Sequence, residues 1–170
     1  MAITRGITGE TAPEFQVDAW LDDNDVPRTI ADIEAPVIYL YCFQSWCPGC
    51  HSHGFPTMAA VKEHYESIGQ SDKVEFVAIQ TVFEGHETNT PEAALQSVAH
   101  HGLTDIALGQ DSGHPPATMA NYHTGGTPWT VIIGPDRKVI ADGFRVNAQQ
   151  AVDLIDEAIS SSDQPAEARL

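Results

Sequence analysis

Two kinds of apolar pattern follow each other along the first half of the chain. Residues 36–43 form an almost continuous apolar run of strand length, which is typical of a strand buried on both faces of an α/β sheet. Between positions 58 and 68, apolar residues recur at helical spacing. The sequence therefore predicts a buried strand, followed by a helix that begins near residue 47 and runs towards residue 67.

The same order is repeated further along the chain. Residues 73–81 predict a second interior strand. Thr90 and Pro91 supply an N-cap and a first-turn proline for a helix that ends before Gly102. A short apolar run follows, and a further helix is predicted around residues 117–122.

The last third of the chain predicts a hairpin and a closing helix. Residues 129–133 and 138–141 flank a turn and predict two antiparallel strands. Asn147 is placed to cap a final amphipathic helix. The elements therefore form a β-α-β unit followed by a β-β-α unit in one domain over residues 1–160. Residues 161–170 lack large apolar residues until the end, so we expect them to form a frayed tail.

Composition and charge exclude several classes of protein. The 170 residues suit one domain, and 42% hydrophobic with 19% charged residues is ordinary for a globular chain. With 8 Lys and Arg against 24 Asp and Glu, a net charge of −16 disfavours nucleic-acid and anionic-membrane partners. The sequence contains neither an apolar run of membrane-span length nor a signal-like start. We expect a cytoplasmic protein, or a periplasmic one if an N-terminal anchor has been removed.

The three cysteines indicate redox or metal chemistry rather than a disulfide scaffold. Cys47 and Cys50 form a Cys-x-x-Cys motif directly after the buried strand and at the start of a helix. Amide groups there favour a thiolate at Cys47, which we expect to attack, and Cys50, one turn deeper, to resolve. Cys42 lies within the strand, where a small core side chain is expected.

Four segments of the sequence carry a resemblance to a known family. Residues 46–50 contain the Cys-x-x-Cys motif, and residues 126–133 contain a late Gly-Thr-Pro before a strand. Residues 9–15 match the G-x-x-A-P-x-F opening of redoxins, and 135–139 match a redoxin hairpin. Over roughly residues 8–160, the chain resembles the TlpA-like redoxin branch of the thioredoxin superfamily.

This resemblance implies a thioredoxin fold: an α/β domain with a central mixed sheet flanked by helices and an N-terminal redoxin extension. It implies a thiol-disulfide oxidoreductase that exchanges the Cys47/Cys50 pair with protein substrates, uses no bound cofactor or metal, and needs a reductase or other redox partner. The Thr127–Pro128 bond is expected to be cis and to face the cysteines, so that the Thr127 backbone pairs with an extended substrate segment. The supporting site residues are Trp46, Pro48, Gly49, Thr127 and Pro128.

The chain departs from the family pattern at three places. Tyr41 stands six residues before the first cysteine, where classical thioredoxins carry a buried acid. Pro56 stands six residues after the second cysteine rather than five, which predicts a one-residue bulge between residues 51 and 55. Glu84 or His86, in a loop without a family counterpart, is a candidate for the missing acid-base group.

Two other functions would use the same cysteines. In a redoxin-type thiol peroxidase, a Pro-x-x-x-Thr/Ser-x-x-Cys pattern surrounds the reactive cysteine, but Leu40 and Gln44 occupy its first two fixed positions here. A zinc or copper carrier is the other alternative, because soft metals prefer thiolate and imidazole ligands. Its candidate ligands are Cys47, Cys50, His51 and His53.

Overall fold

A computed structural model describes residues 5–162 as one sheet with helices on both faces. The strands of these residues are β1 (Ala19–Trp20), β2 (Val37–Phe43), β3 (Val74–Thr81), β4 (Ala107–Asp111), β5 (Trp129–Ile133) and β6 (Val139–Gly143). The helices are α1 (Phe55–Ser67), α2 (Pro91–His100), α3 (Ala117–Tyr122) and α4 (Ala148–Ser162).

The sheet is mixed, with the strand order β1-β4-β3-β2-β5-β6. Strands β2, β3 and β4 are parallel, whereas β1, β5 and β6 each run antiparallel to a neighbour. Cys42 near the end of β2 pairs with Trp129 at the start of β5. Because these strands are antiparallel, the loop that follows β2 and the loop that precedes β5 meet at one edge of the sheet. The predicted α/β fold with a mixed central sheet is confirmed.

Strand β2 is buried on both faces, as its unbroken apolar pattern predicts. Alternate residues such as Tyr39 and Tyr41 pack with α1, α2 and α4 on one face. Leu40 and Cys42 point to the other face, where the N-terminal segment and α3 cover the sheet. The central strand is thereby fixed from both sides, which gives the loop at its end a rigid support.

A π-helical turn, Cys50–Gly54, precedes α1. The Phe55 amide donates to the Cys50 carbonyl oxygen, five residues back, which is the bond that defines such a turn. The bulge predicted from the position of Pro56 is therefore confirmed. It adds one residue between the cysteine motif and the regular helix.

The predicted helix caps are also present. The Thr90 hydroxyl accepts from the Ala93 amide at 3.2 Å at the start of α2. Asn147 accepts from the Gln150 amide at 2.8 Å at the start of α4. Helix α4 continues through Ser162, two residues into the segment predicted to be a tail, and 163–170 lie outside the described residues.

None of the helices within residues 5–162 is long and apolar enough to cross a membrane. The short strand β1, which pairs antiparallel with β4 at the edge of the sheet, was not predicted. Its two residues are too few for an alternating pattern to be visible in the sequence.

Candidate active site

The loop after β2 places two free thiols at the start of the helical segment. The Cys47 amide donates to the Gln44 carbonyl oxygen at 3.0 Å, and the Cys50 amide donates to the Cys47 carbonyl oxygen at 3.1 Å. These two bonds form successive tight turns. Cys47 keeps 8% of its surface exposed, whereas Cys50 is fully buried.

The two thiols have different environments. Burial, together with a hydrogen bond from Cys50 to Cys47, raises the pKa of Cys50 to about 12. A thiol with such a pKa stays protonated at neutral pH and can donate to the neighbouring sulfur. Cys50 is therefore the hydrogen-bond donor of the pair and the Cys47 sulfur is the acceptor.

The loop before β5 lies directly against this pair. The Thr127–Pro128 peptide bond is cis, as the resemblance implies. The Cys47 thiol donates to the Thr127 carbonyl oxygen at a sulfur–oxygen distance of 3.7 Å. A Cβ atom on Gly49 would lie 3.4 Å from Pro128 Cδ, in ordinary van der Waals contact. The structure thus brings Cys47, Cys50, Gly49, Thr127 and Pro128 together.

The two remaining predicted residues lie on the outer surface of the motif. Trp46 is 47% exposed, and its amide donates to Asn89 Oδ1 at 2.9 Å. Pro48 is exposed at the first turn of the helical segment. An exposed tryptophan and proline next to a reactive thiol form a surface that a partner protein can cover.

The fold agrees with known structures. No family model and no curated protein matches the sequence. The crystal structure of a thioredoxin-like superfamily protein is similar with a TM-score of 0.73 and 30% identity, and the match covers 88% of this chain and 96% of that one. The chain belongs to the thioredoxin-like superfamily.

Two further structures extend the comparison. A thiol-disulfide isomerase from Corynebacterium glutamicum is 25% identical, with a TM-score of 0.72 and coverage of 88% of this chain and 97% of its own. A thioredoxin-like protein from Aeropyrum pernix shares the fold with a TM-score of 0.64. It is 16% identical, and the match covers 85% of this chain and 89% of that one. A thioredoxin-like chain with this paired dithiol is an enzyme of the thiol-disulfide oxidoreductase class, as predicted.

Tyr41 occupies the position of the buried acid of classical thioredoxins. Its hydroxyl donates to the Cys50 carbonyl oxygen at 3.1 Å, and burial raises its pKa far above the ordinary value. A phenol that stays protonated cannot accept a proton from Cys50. Tyr41 therefore acts as a hydrogen-bond donor to the π-helical turn and not as a general base.

A network of buried amide side chains lies behind the cysteine loop, and no sequence pattern indicated it. The side-chain oxygen Oε1 of Gln44 accepts from the backbone amides of Phe83 and Glu84 at 3.3 and 3.4 Å, and Gln44 Nε2 donates to the Thr127 hydroxyl at 3.3 Å. Gln80 accepts from the Ser45 amide at 2.7 Å. This network ties the cysteine loop, the loop after β3 and the cis-proline loop together. Its buried members are Gln44, Gln80, Asn89 and Gln110.

The two candidates for a substitute acid-base group lie in the loop after β3. Glu84 and His86 are both exposed. His86 stacks on His114 with ring centroids 4.7 Å apart. Within residues 5–162, neither side chain forms a hydrogen bond with Cys47 or Cys50. The structure thus brings the backbone of this loop to the site but not these side chains.

The histidines after the motif are held by other groups. His51 Nε2 donates to the Ser45 carbonyl oxygen at 2.6 Å, and His51 Nδ1 is hydrogen-bonded to His101 Nε2 at 3.0 Å. His53 Nε2 donates to the Val146 carbonyl oxygen at 3.2 Å. In the described part of the chain, no group of three or more His, Cys, Asp or Glu side chains is arranged to hold a metal ion.

Proposed function

We propose that the protein exchanges its Cys47/Cys50 dithiol with disulfides of protein substrates. The observation that carries this proposal is the asymmetry of the two thiols beside the cis-proline loop. Cys47 retains exposed surface and contacts the Thr127 carbonyl oxygen, whereas Cys50 is fully buried with a raised pKa. One thiol is thus reachable by a large partner and the other only by its neighbour.

Two steps complete the exchange. The Cys47 thiolate attacks one sulfur of a substrate disulfide; the substrate S–S bond breaks, a mixed disulfide forms, and the departing substrate sulfur takes up a proton. Cys50 then loses its proton and attacks Cys47, which releases the second substrate thiol and forms the Cys47–Cys50 disulfide. The substrate gains two electrons and two protons, and a redox partner restores the dithiol.

The surroundings of the dithiol suit main-chain recognition. The half-buried loop of Thr127 and Pro128 precedes β5 beside Cys47, where an extended substrate segment could pair with the Thr127 backbone. The exposed surfaces of Trp46 and Pro48 add apolar contact area around the sulfur. The predicted cytoplasmic location stays a prediction, which cell fractionation would test.

Neither alternative function gains support from the site. A peroxidase site would need Thr or Ser three positions before the reactive cysteine, but Gln44 stands there and bonds to Thr127 and to the loop after β3. In a carrier, His51 Nδ1 would have to release His101 before it could bind a metal ion, and the described residues contain no group of three or more His, Cys, Asp or Glu side chains that could hold one.

Reduction of insulin disulfides with dithiothreitol as the electron source tests the proposal. We expect turnover by the unmodified protein, loss of turnover in Cys47→Ser and in Cys50→Ser, and full turnover in Cys42→Ala. Cys42 is the matched control because it is a free cysteine that is fully buried in the core. An unmodified protein that is no faster than Cys47→Ser would refute the exchange function. Parallel assays with hydrogen peroxide and with bound-metal analysis identify the two alternatives.

A further inference from the structure

A cleft of about 680 Å³ opens beside the cysteine motif and the cis-proline loop. Gly49, inside the motif, forms one wall and Pro128 another. The remaining wall is the segment between β6 and α4. The lining residues are Gly49, His53, Pro128, Phe144, Arg145 and Asn147.

The segment that carries Arg145 is held against the active-site helix. His53, in the π-helical turn, donates to the Val146 carbonyl oxygen at 3.2 Å, and Val146 itself is buried. Asn147 caps α4 through the Gln150 amide. The backbone that follows Arg145 is therefore fixed at Val146 and Asn147, while the Arg145 side chain is exposed and lines the cleft.

Phe144 forms an apolar surface next to this arginine. Its ring lies 4.8 Å from the Trp129 ring between centroids, at an interplanar angle of 85°. A Cβ atom on Gly125 would lie 2.9 Å from the Phe144 ring, so the ring packs closely on the loop that leads to Pro128. The cleft thus combines an apolar wall with a single strong cation.

The few basic residues of this acidic chain differ in whether their side chains have a partner, and Arg145 is the one Lys or Arg among the lining residues of the cleft. Arg28 and Lys62 form ion pairs, and Arg137 donates to backbone carbonyl oxygens. Within residues 5–162, Arg145 forms neither an ion pair nor a hydrogen bond. Arg5 is likewise without such a partner in this part of the chain, and its Cδ would lie 3.0 Å from a Cβ atom on Gly125. Both cations face the surroundings of the cis-proline loop.

We propose that this cleft selects substrate segments that carry an aspartate or glutamate close to the attacked cysteine, with Arg145 as the residue that binds the acidic side chain. This inference rests on the proposed exchange function and specifies its substrate class. Charge complementarity supports it, because an unpaired guanidinium offers five donors in a planar fork that suits a carboxylate. Since the whole protein carries a charge of −16, the local cation would distinguish acidic segments only when they are seated in the cleft.

The test uses decapeptides with one cysteine in a mixed disulfide with thionitrobenzoate, whose release is coloured. The peptides carry either Glu or Gln at the two residues before or after the cysteine and are otherwise identical. Attack by Cys47 on the peptide sulfur releases thionitrobenzoate and gives a rate for each peptide. The readout is the ratio of the Glu rate to the Gln rate, measured at about 0.15 M salt, where long-range charge is largely screened.

We expect Arg145→Gln to lower this ratio about two- to fivefold, the effect of losing one exposed ion pair, and Arg145→Lys to retain most of it. Lys138→Gln is the matched control, because Lys138 is also exposed and its loss changes the net charge equally. Equal ratios in Arg145→Gln and Lys138→Gln would overturn the inference while leaving exchange intact. Peptides that react no faster with the unmodified protein than with Cys47→Ser would refute the exchange function itself.

Discussion

The Tyr41 hydroxyl donates a hydrogen bond to the Cys50 carbonyl oxygen at 3.1 Å. The same oxygen accepts from the Phe55 amide across the π-helical turn. Two donors on one carbonyl hold the backbone of the second cysteine to the central strand. The extra residue in the turn and the tyrosine in place of an acid are therefore parts of one local arrangement.

Gly54 is required for this arrangement because a Cβ atom there would overlap the Tyr41 hydroxyl. We expect Gly54→Ala to lower the free energy of unfolding by about 1–3 kcal/mol through overpacking, as measured by urea denaturation. Ser52→Ala is the control, since Ser52 is exposed in the same turn and should change stability by less than about 0.5 kcal/mol. Equal stabilities of the two variants would contradict the close contact.

The position of the bulge could be predicted from the sequence, whereas its cause could not. Pro56 constrains where the regular helix begins, so its spacing from Cys50 indicated an extra residue. The contact between Tyr41 and the turn joins a strand to a helix through tertiary packing. A single sequence gives no signal for such a contact. It shows only that position 41 holds a tyrosine instead of the acid found in classical thioredoxins.

Gln44 tests whether the buried amide network supports the active site. Its removal leaves the backbone amides of Phe83 and Glu84 without this acceptor and takes a donor from the Thr127 hydroxyl. We expect Gln44→Ala to cost at least about 2 kcal/mol in urea denaturation and to slow disulfide exchange. Gln96→Ala, at an exposed position of α2, should change neither quantity. Unchanged stability in Gln44→Ala would show that the network contributes little.

Long-range contacts of this kind explain which features the sequence did not reveal. The main elements followed from hydrophobic periodicity, and the cysteine motif with the late Thr127–Pro128 pair indicated the family. The bond between Gln44 and Thr127 joins residues 83 positions apart, and that between His51 and His101 joins residues 50 positions apart. Neither separation has a recognisable spacing, because the sheet topology alone brings these residues together.

His101 provides a prediction about acidic pH. Burial and the neighbouring His51 and His100 lower the pKa of His101 below its ordinary value. A lowered pKa in the folded state contributes stability above the pKa of the unfolded state, about 6.5, and that contribution is lost as the pH falls through the folded-state pKa. We expect the His101 ring to titrate below about 6.5 in NMR, and His101→Gln to reduce the loss of stability below that pH. A ring that titrates above this value would contradict the prediction.

The Cys50 thiol provides the corresponding prediction at alkaline pH. Its pKa of about 12 lies above the value of about 8.5 for an unfolded thiol. The folded state of the reduced protein therefore binds this proton more tightly, and the contribution of Cys50 to stability is lost as the pH rises between these values, in the same range as that of Cys42, whose pKa burial also raises. Cys50→Ser should flatten this part of the stability profile in denaturation series between about pH 8.5 and 10. An identical slope in the variant would show that Cys50 is not the group responsible.

The central claim, that Cys47 attacks and Cys50 resolves, is tested most directly by trapping the mixed disulfide. Reduced Cys50→Ser and Cys47→Ser proteins are each mixed with a disulfide-bonded peptide, and intact-mass spectrometry under non-reducing conditions measures the adduct. We predict that Cys50→Ser accumulates one peptide adduct on Cys47 and that Cys47→Ser accumulates none, because Cys50 is fully buried. An adduct on Cys50 in Cys47→Ser, with none in Cys50→Ser, would contradict the account.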